Sequence, residues 1–258
     1  MYMKYFYITV AFLASIMIGC GSGSNSGDSS ATQGGTGVGG SMARFTISGD
    51  KLYTLNNRYI NAFDISVPSA PLPDISQPVD WDVETLYSYK EYLYVGAESG
   101  VYIYNQELNK VGAFTHTKSC DPVVVQDDIA YVTLNSGSSC RLNSGENTLQ
   151  VLDIKNPLKP SLITTKNMFS PRGLGIDGTN LFICDGAGGL KLFDVNTTEN
   201  NETNTTAVAL TFNRESSVED IDCYDVIAHK NLLIVSNGDD VRQFDYTHLP
   251  MAELSRIK

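Results

Sequence analysis

Residues 181–195, LFICDGAGGLKLFDV, decide the fold. Leu181 to Cys184 is a short apolar run suited to a buried strand. Gly186, Gly188 and Gly189 give the freedom a connection needs, and Leu190 to Val195 alternates on the way back. The stretch predicts a β-hairpin. A strand pattern, not a helix, follows Gly-Ala-Gly-Gly, so this is no phosphate-binding loop.

The hairpin recurs along the chain. Its first strand repeats as KLYTL (51–55), YLYVG (92–96), IAYVT (129–133), LFICD (181–185) and LLIVS (232–236). Each copy has a return strand carrying an Asp or Asn at one position: Asp64, Asn105, Asp153, Asp194 and Asp245, spaced 41, 48, 41 and 51 residues apart. A short strand candidate precedes each hairpin (RFTIS, VETLYSY, PVVVQ, GLGID, YDVIAH) and another follows it (PLPDIS, KVGAFTH, PSLITT, AVALTF, MAELSRI). One four-stranded antiparallel sheet leaves two apolar faces uncovered, so units of this size need neighbours on both sides. The expected fold is all-β: a five-bladed β-propeller over residues 44–258, four strands to a blade. No strand is exchanged between the ends, so closure is expected to rely on packing of blade 5 against blade 1.

LQVLDIKNPLKPSLI (149–163) resembles the bacterial LVIVD repeat, with its apolar strand, Asp153, and the Asn-Pro-x-x-Pro turn into the next strand. VPSAP (67–71) is a partial copy. The resemblance covers residues 44–258 and implies a β-propeller-like protein of a family mostly without assigned activity.

The N-terminus reads as an address. Lys4 is the one early charge before an apolar run from Tyr5 to Ile18, a signal-peptide pattern too short for a comfortable membrane span. Met17-Ile18-Gly19-Cys20 resembles the bacterial lipoprotein processing box, which implies a signal peptide over 1–19, lipidation of Cys20, and attachment to the membrane through that lipid. Residues 20–43 are rich in Gly and Ser and read as a flexible tether. Gly21, where inner-membrane lipoproteins often carry Asp, implies by the same resemblance the outer membrane, on its periplasmic or surface side.

Four further cysteines form an even set in a compartment that permits disulfides. Three pairings are open, and the blade assignment prefers Cys120 with Cys140 and Cys184 with Cys223. Acids outnumber bases 29 to 18, a net charge of −11, and no basic stripe is present, which excludes a general nucleic-acid partner.

The once-per-blade Asp or Asn reads as an Asx-turn device, not a ligand set. His116, His229 and His248 stand in no metal-ligand spacing, and no G-x-S-x-G elbow is present. Residues 196–206, NTTENNETNTT, read as a solvated loop.

In a propeller the inter-blade connectors and the central hairpins share one face. The candidate binding face therefore collects Asp80, Trp81, Asp82, Asp121, Arg172, Asp185, Asp220, Asp222, Asp239 and Asp240. Trp81 either stacks on a sugar or a basic side chain, or packs between two blades. The carboxylates also offer oxygen ligands for Ca²⁺, although no EF-hand-like spacing exists. The expected function is a non-enzymatic binding or scaffold module for a protein or glycan, with no required cofactor. Two other readings stand beside it: a hydrolase or lyase using Asp220, Asp222 and Asp225 with or without a cation, and an architectural envelope component.

Overall fold

The computed structural model describes residues 40–56, 58–79, 83–115, 122–137, 147–200, 202–203 and 205–258. Among the described residues, short β-branched and aromatic runs separated by turn residues form twenty strands, grouped by sequence into five antiparallel sheets. Blade 1 holds β1 (Phe45–Ser48), β2 (Lys51–Asn56), β3 (Tyr59–Asp64) and β4 (Leu72–Pro78). Blade 2 holds β5 (Val83–Tyr89), β6 (Tyr92–Ala97), β7 (Gly100–Asn105) and β8 (Lys110–Thr115). Blade 3 holds β9 (Val123–Gln126), β10 (Ile129–Leu134), β11 (Thr148–Asp153) and β12 (Ser161–Asn167). Blade 4 holds β13 (Leu174–Asp177), β14 (Asn180–Cys184), β15 (Leu190–Asn200) and β16 (Thr205–Val218), and blade 5 holds β17 (Cys223–His229), β18 (Leu232–Asn237), β19 (Val241–Asp245) and β20 (Ala252–Ile257). Among the described residues, no strand leaves its own repeat.

The five sheets form a ring with their first strands facing a central channel: a five-bladed β-propeller. Alternation along each strand sends side chains to both faces of a sheet, and successive sheets interlock them. Tyr53 and Ile60 of blade 1 pack with Leu86 and Leu93 of blade 2, and Tyr94 and Ile103 with Val125 and Val132 of blade 3. Tyr131 and Val151 meet Ile183 and Phe193 of blade 4, whose Phe182 and Leu192 meet Leu233 and Phe244 of blade 5.

The seam between blades 5 and 1 is built differently. Among the described residues no buried apolar cluster spans it, and Phe45 and Leu254 on the end blades are 60% and 57% exposed. The N-terminal segment instead runs across the channel. Ala43 offers its carbonyl to the Leu86 amide of blade 2, Ser41 bonds Leu174 of blade 4, and Gly40 lies against Asp225 of blade 5. Ser41 is 1% exposed. Gly40, Ser41 and Ala43, which the sequence reading placed in the tether, are therefore held against the blades.

The repeated Asx position behaves as a turn device in four blades. Asp64, Asp153 and Asp245 each accept an amide two residues on, and Asn105 accepts that of Asn109. Asp194 makes no such turn because its strand continues. The polar run expected as a solvated loop instead extends β15 to Asn200 and pairs Asn196–Asn200 with Ala209–Thr205. Threonine-rich alternation favours strand over loop once a partner strand is aligned.

Candidate functional site

The connector from blade 3 to blade 4, residues 168–173, is the most firmly built part of the connector face. Asp185 leaves β14 just before the Gly turn and is 4% exposed; its carboxylate accepts the Phe169 and Ser170 amides at 3.0 and 2.8 Å. Burial raises its pKa, opposed by those two amide bonds and by the charge of Lys191. Two blade 3 side chains hold the same connector: Asn147 donates to the Phe169 carbonyl at 2.7 Å and Asn135 to that of Pro171 at 2.8 Å. With the backbone fixed from both sides, the Phe169 ring stands 65% exposed.

Arg172 leaves the same connector towards blade 5. It pairs with Asp222 at 3.2 Å and lies 5.4 Å from the centre of the Tyr224 ring, itself exposed. Tyr224 is the extra residue where the β17–β18 register shifts between Cys223 and Asp225. Such a bulge re-aims a side chain. The result is an exposed aromatic, an arginine and a second aromatic on a rigid support, the composition that carries binding energy at protein interfaces.

The structure divides the sequence-derived candidates. Arg172 and Asp222 come together at this patch. Asp220 and Asp239 are exposed. Asp240 is drawn into blade 5, where Arg242 at 3.3 Å and Arg256 at 3.6 Å neutralise it. Asp185, expected on the surface, is instead a buried brace, because an inward carboxylate was the available acceptor for two connector amides. Asp80, Trp81, Asp82 and Asp121 lie outside the described residues, as do Cys20, Cys120 and Cys140. Phe169 and Tyr224 were missed, though an aromatic inside a connector and one out of strand parity were visible signals.

Cys184 and Cys223 form a disulfide joining blades 4 and 5, with Cα atoms 4.8 Å apart and both residues fully buried. This is the pairing the blade assignment preferred. The Gly186 carbonyl accepts the Cys223 amide beside it, so the Gly turn of the deciding hairpin is itself part of the blade junction.

The acids named for hydrolysis face different surroundings. Asp222 pairs with Arg172, Asp220 is exposed, and Asp225 is half-buried at the connector end of the channel. There the Asp225 carboxylate sits so close to Gly40 and Gly173 that a Cβ on either would collide with it. Burial pushes this carboxyl up to about 6, opposed by its own bonds to the Val226 amide and the Ser41 hydroxyl. Among the described residues, no group of three or more His, Cys, Asp or Glu is placed to hold a metal ion, and no helix is long and apolar enough to cross a membrane.

The far end of the channel opens on the face of the first hairpin turns. It forms a cavity of about 730 Å³ walled by the inner strands of all five blades.

Fold and site together define a β-propeller whose channel is stopped on one face by its own N-terminal segment and open on the other. No family model and no curated protein matches the chain. Solved structures do match at the level of fold. The computationally designed Ika8 protein is 14% identical with a TM-score of 0.56, over 82% of this chain and 60% of that one. Kluyveromyces lactis Hsv2 is 9% identical with a TM-score of 0.52, over 80% and 60%. BamB from Moraxella catarrhalis is 14% identical with a TM-score of 0.50, over 82% and 59%. The chain spans about 60% of the length of these structures, and at such identities the likeness is one of fold alone.

Proposed function

We propose that this protein is a lipid-anchored module of the bacterial cell envelope that binds a protein or glycan partner, without catalysis, through the connector face of its propeller. The observation that carries the reading is Phe169. Its ring is 65% exposed on a connector braced by Asp185, Asn135 and Asn147 that also carries Arg172 over Tyr224, so two aromatics and an arginine are presented on a rigid support. Arg172 and Tyr224 extend the surface with groups that stack on an aromatic or a sugar and pair with a carboxylate. The lipoprotein-like sequence ending at Cys20, the tether after it and the LVIVD-like third repeat support the envelope address. The carboxylates of this face would supply oxygen ligands for a Ca²⁺ ion.

Two measurements test the proposal. Photo-crosslinking from position 169 in intact cells should give a discrete adduct that is lost in an Arg172→Glu background while the melting temperature is unchanged. An adduct indifferent to Arg172, or no adduct at all, would set the connector face aside. Cys20→Ser should move the protein from the membrane fraction to the soluble one, and a variant that stays with the membrane would remove the anchor.

A further inference from the structure

We propose a second binding site on the opposite face: the open mouth of the channel takes a neutral, hydroxyl-rich ligand of mono- to disaccharide size. Its volume, about 730 Å³, lies in the range of small-molecule sites, and it is walled by β1, β5, β9, β13 and β17. These are the edge strands of their sheets, so alternate backbone amides and carbonyls face the channel and need partners.

The chain shows what such a wall accepts. At the stopped end, the Ser41 hydroxyl takes the Leu174 amide, and the Ala43 carbonyl takes that of Leu86. A hydroxyl in the channel is thus already recognised by an inner-strand amide. Leu174, whose amide binds Ser41 from below, also lines the open half. A saccharide entering from the mouth presents several hydroxyls to equivalent groups higher on the same strands.

The rim has the matching chemistry. Glu91, His229, Gln106 and Ser88 supply donors and acceptors, and Tyr89 supplies an aromatic ring. The lysine that lines it is neutralised and one of its carboxylates is hydrogen-bonded within the protein. Lys90 pairs with Asp128 at 2.6 Å, and Asp177 accepts the Tyr246 hydroxyl. An anionic ligand would find the rim lysine already paired, whereas a neutral polyol meets acceptors and donors together.

Backbone conformation points to the same rim. Blades 1 and 4 use Gly49 and Gly178 in its turns, at φ 57° and 58°. Blades 2, 3 and 5 instead hold Lys90, Asp127, Asp128, Lys230 and Asn231 at positive φ. Lysine is disfavoured there, and strain of this sort concentrates where side chains are used.

The test is calorimetric titration of the purified full-length mature protein with maltose, cellobiose and di-N-acetylchitobiose in turn. At least one should bind, with affinity lowered at least roughly tenfold by Glu91→Ala and by His229→Ala. Both changes are at the rim, and unchanged melting curves certify the fold. Phe169→Ala should leave saccharide binding intact. No binding by any of the three sugars overturns the inference. So does binding that survives both rim changes, and so does binding that Phe169→Ala abolishes, which would assign the sugar to the connector face and leave the proposed function standing. Loss of the position-169 adduct with saccharide binding preserved would do the reverse.

Discussion

The hydroxyl oxygen of Ser41 accepts the backbone amide of Leu174 at 2.7 Å, a bond between residues 133 positions apart. It joins the segment preceding blade 1 to the inner strand of blade 4, across the channel. Ser41→Ala leaves a buried amide without its acceptor, which costs about 1–3 kcal/mol. Urea denaturation should show a lower midpoint at an unchanged slope. Gly40→Val, which forces a side chain into the Asp225 carboxylate, should be at least as damaging.

Asp225 gives the protein a pH dependence of definite sign. Its folded pKa, about 6, lies above the value of an exposed aspartate, so the folded state holds the proton more tightly than the unfolded chain. Stability from this group is greatest below pH 4 and is lost as pH rises from about 4 to 6, by on the order of 2–3 kcal/mol in total. Asp225→Asn should flatten that part of the stability–pH curve and raise the melting temperature at neutral pH. An unchanged slope would show that the carboxyl is solvated.

The Cys184–Cys223 disulfide closes a 39-residue separation. In the chain-entropy account a loop of this length contributes about 4 kcal/mol. Cys184→Ala together with Cys223→Ala should lower the unfolding free energy by most of that amount. Blades 4 and 5 should become the first region to exchange amide hydrogens.

Asp185 supports Phe169 without touching a partner. Asp185→Ala strands two connector amides and should cost about 2–3 kcal/mol. It should also weaken the position-169 crosslink, although the ring itself is intact. Phe169→Ala should change stability by less than about 0.5 kcal/mol, as expected of an exposed side chain.

Lys230, at φ 49°, sits in a turn conformation that glycine adopts freely. Lys230→Gly should stabilise the protein by about 0.5–1 kcal/mol in thermal unfolding. That gain would accord with a rim side chain retained at a cost to stability.

The repeat of strand, Asp and turn announced five blades, their strand order and the Cys184–Cys223 pair, because a blade is a local object. Its strands follow one another within about 45 residues, and the period of alternation marks which side chains leave each face. The site was legible only in part. Arg172 and Asp222 were foreseen on the connector face, but Asp185 was not foreseen beneath it, since nothing in DGAGG shows that its carboxylate turns inward to two amides of a connector.

The sequence by itself determined the blades, through hydrophobic alternation that any neighbouring sheet would satisfy. Only the tertiary structure decided what residues 40–43 pack against, which end of the channel they close, and which aromatics stay in solvent. Those outcomes depend on contacts such as Ser41 with Leu174 and Gly40 with Asp225, between residues whose proximity exists only after the ring has formed. A serine in a Gly/Ser-rich stretch carries no mark of the buried amide that awaits it.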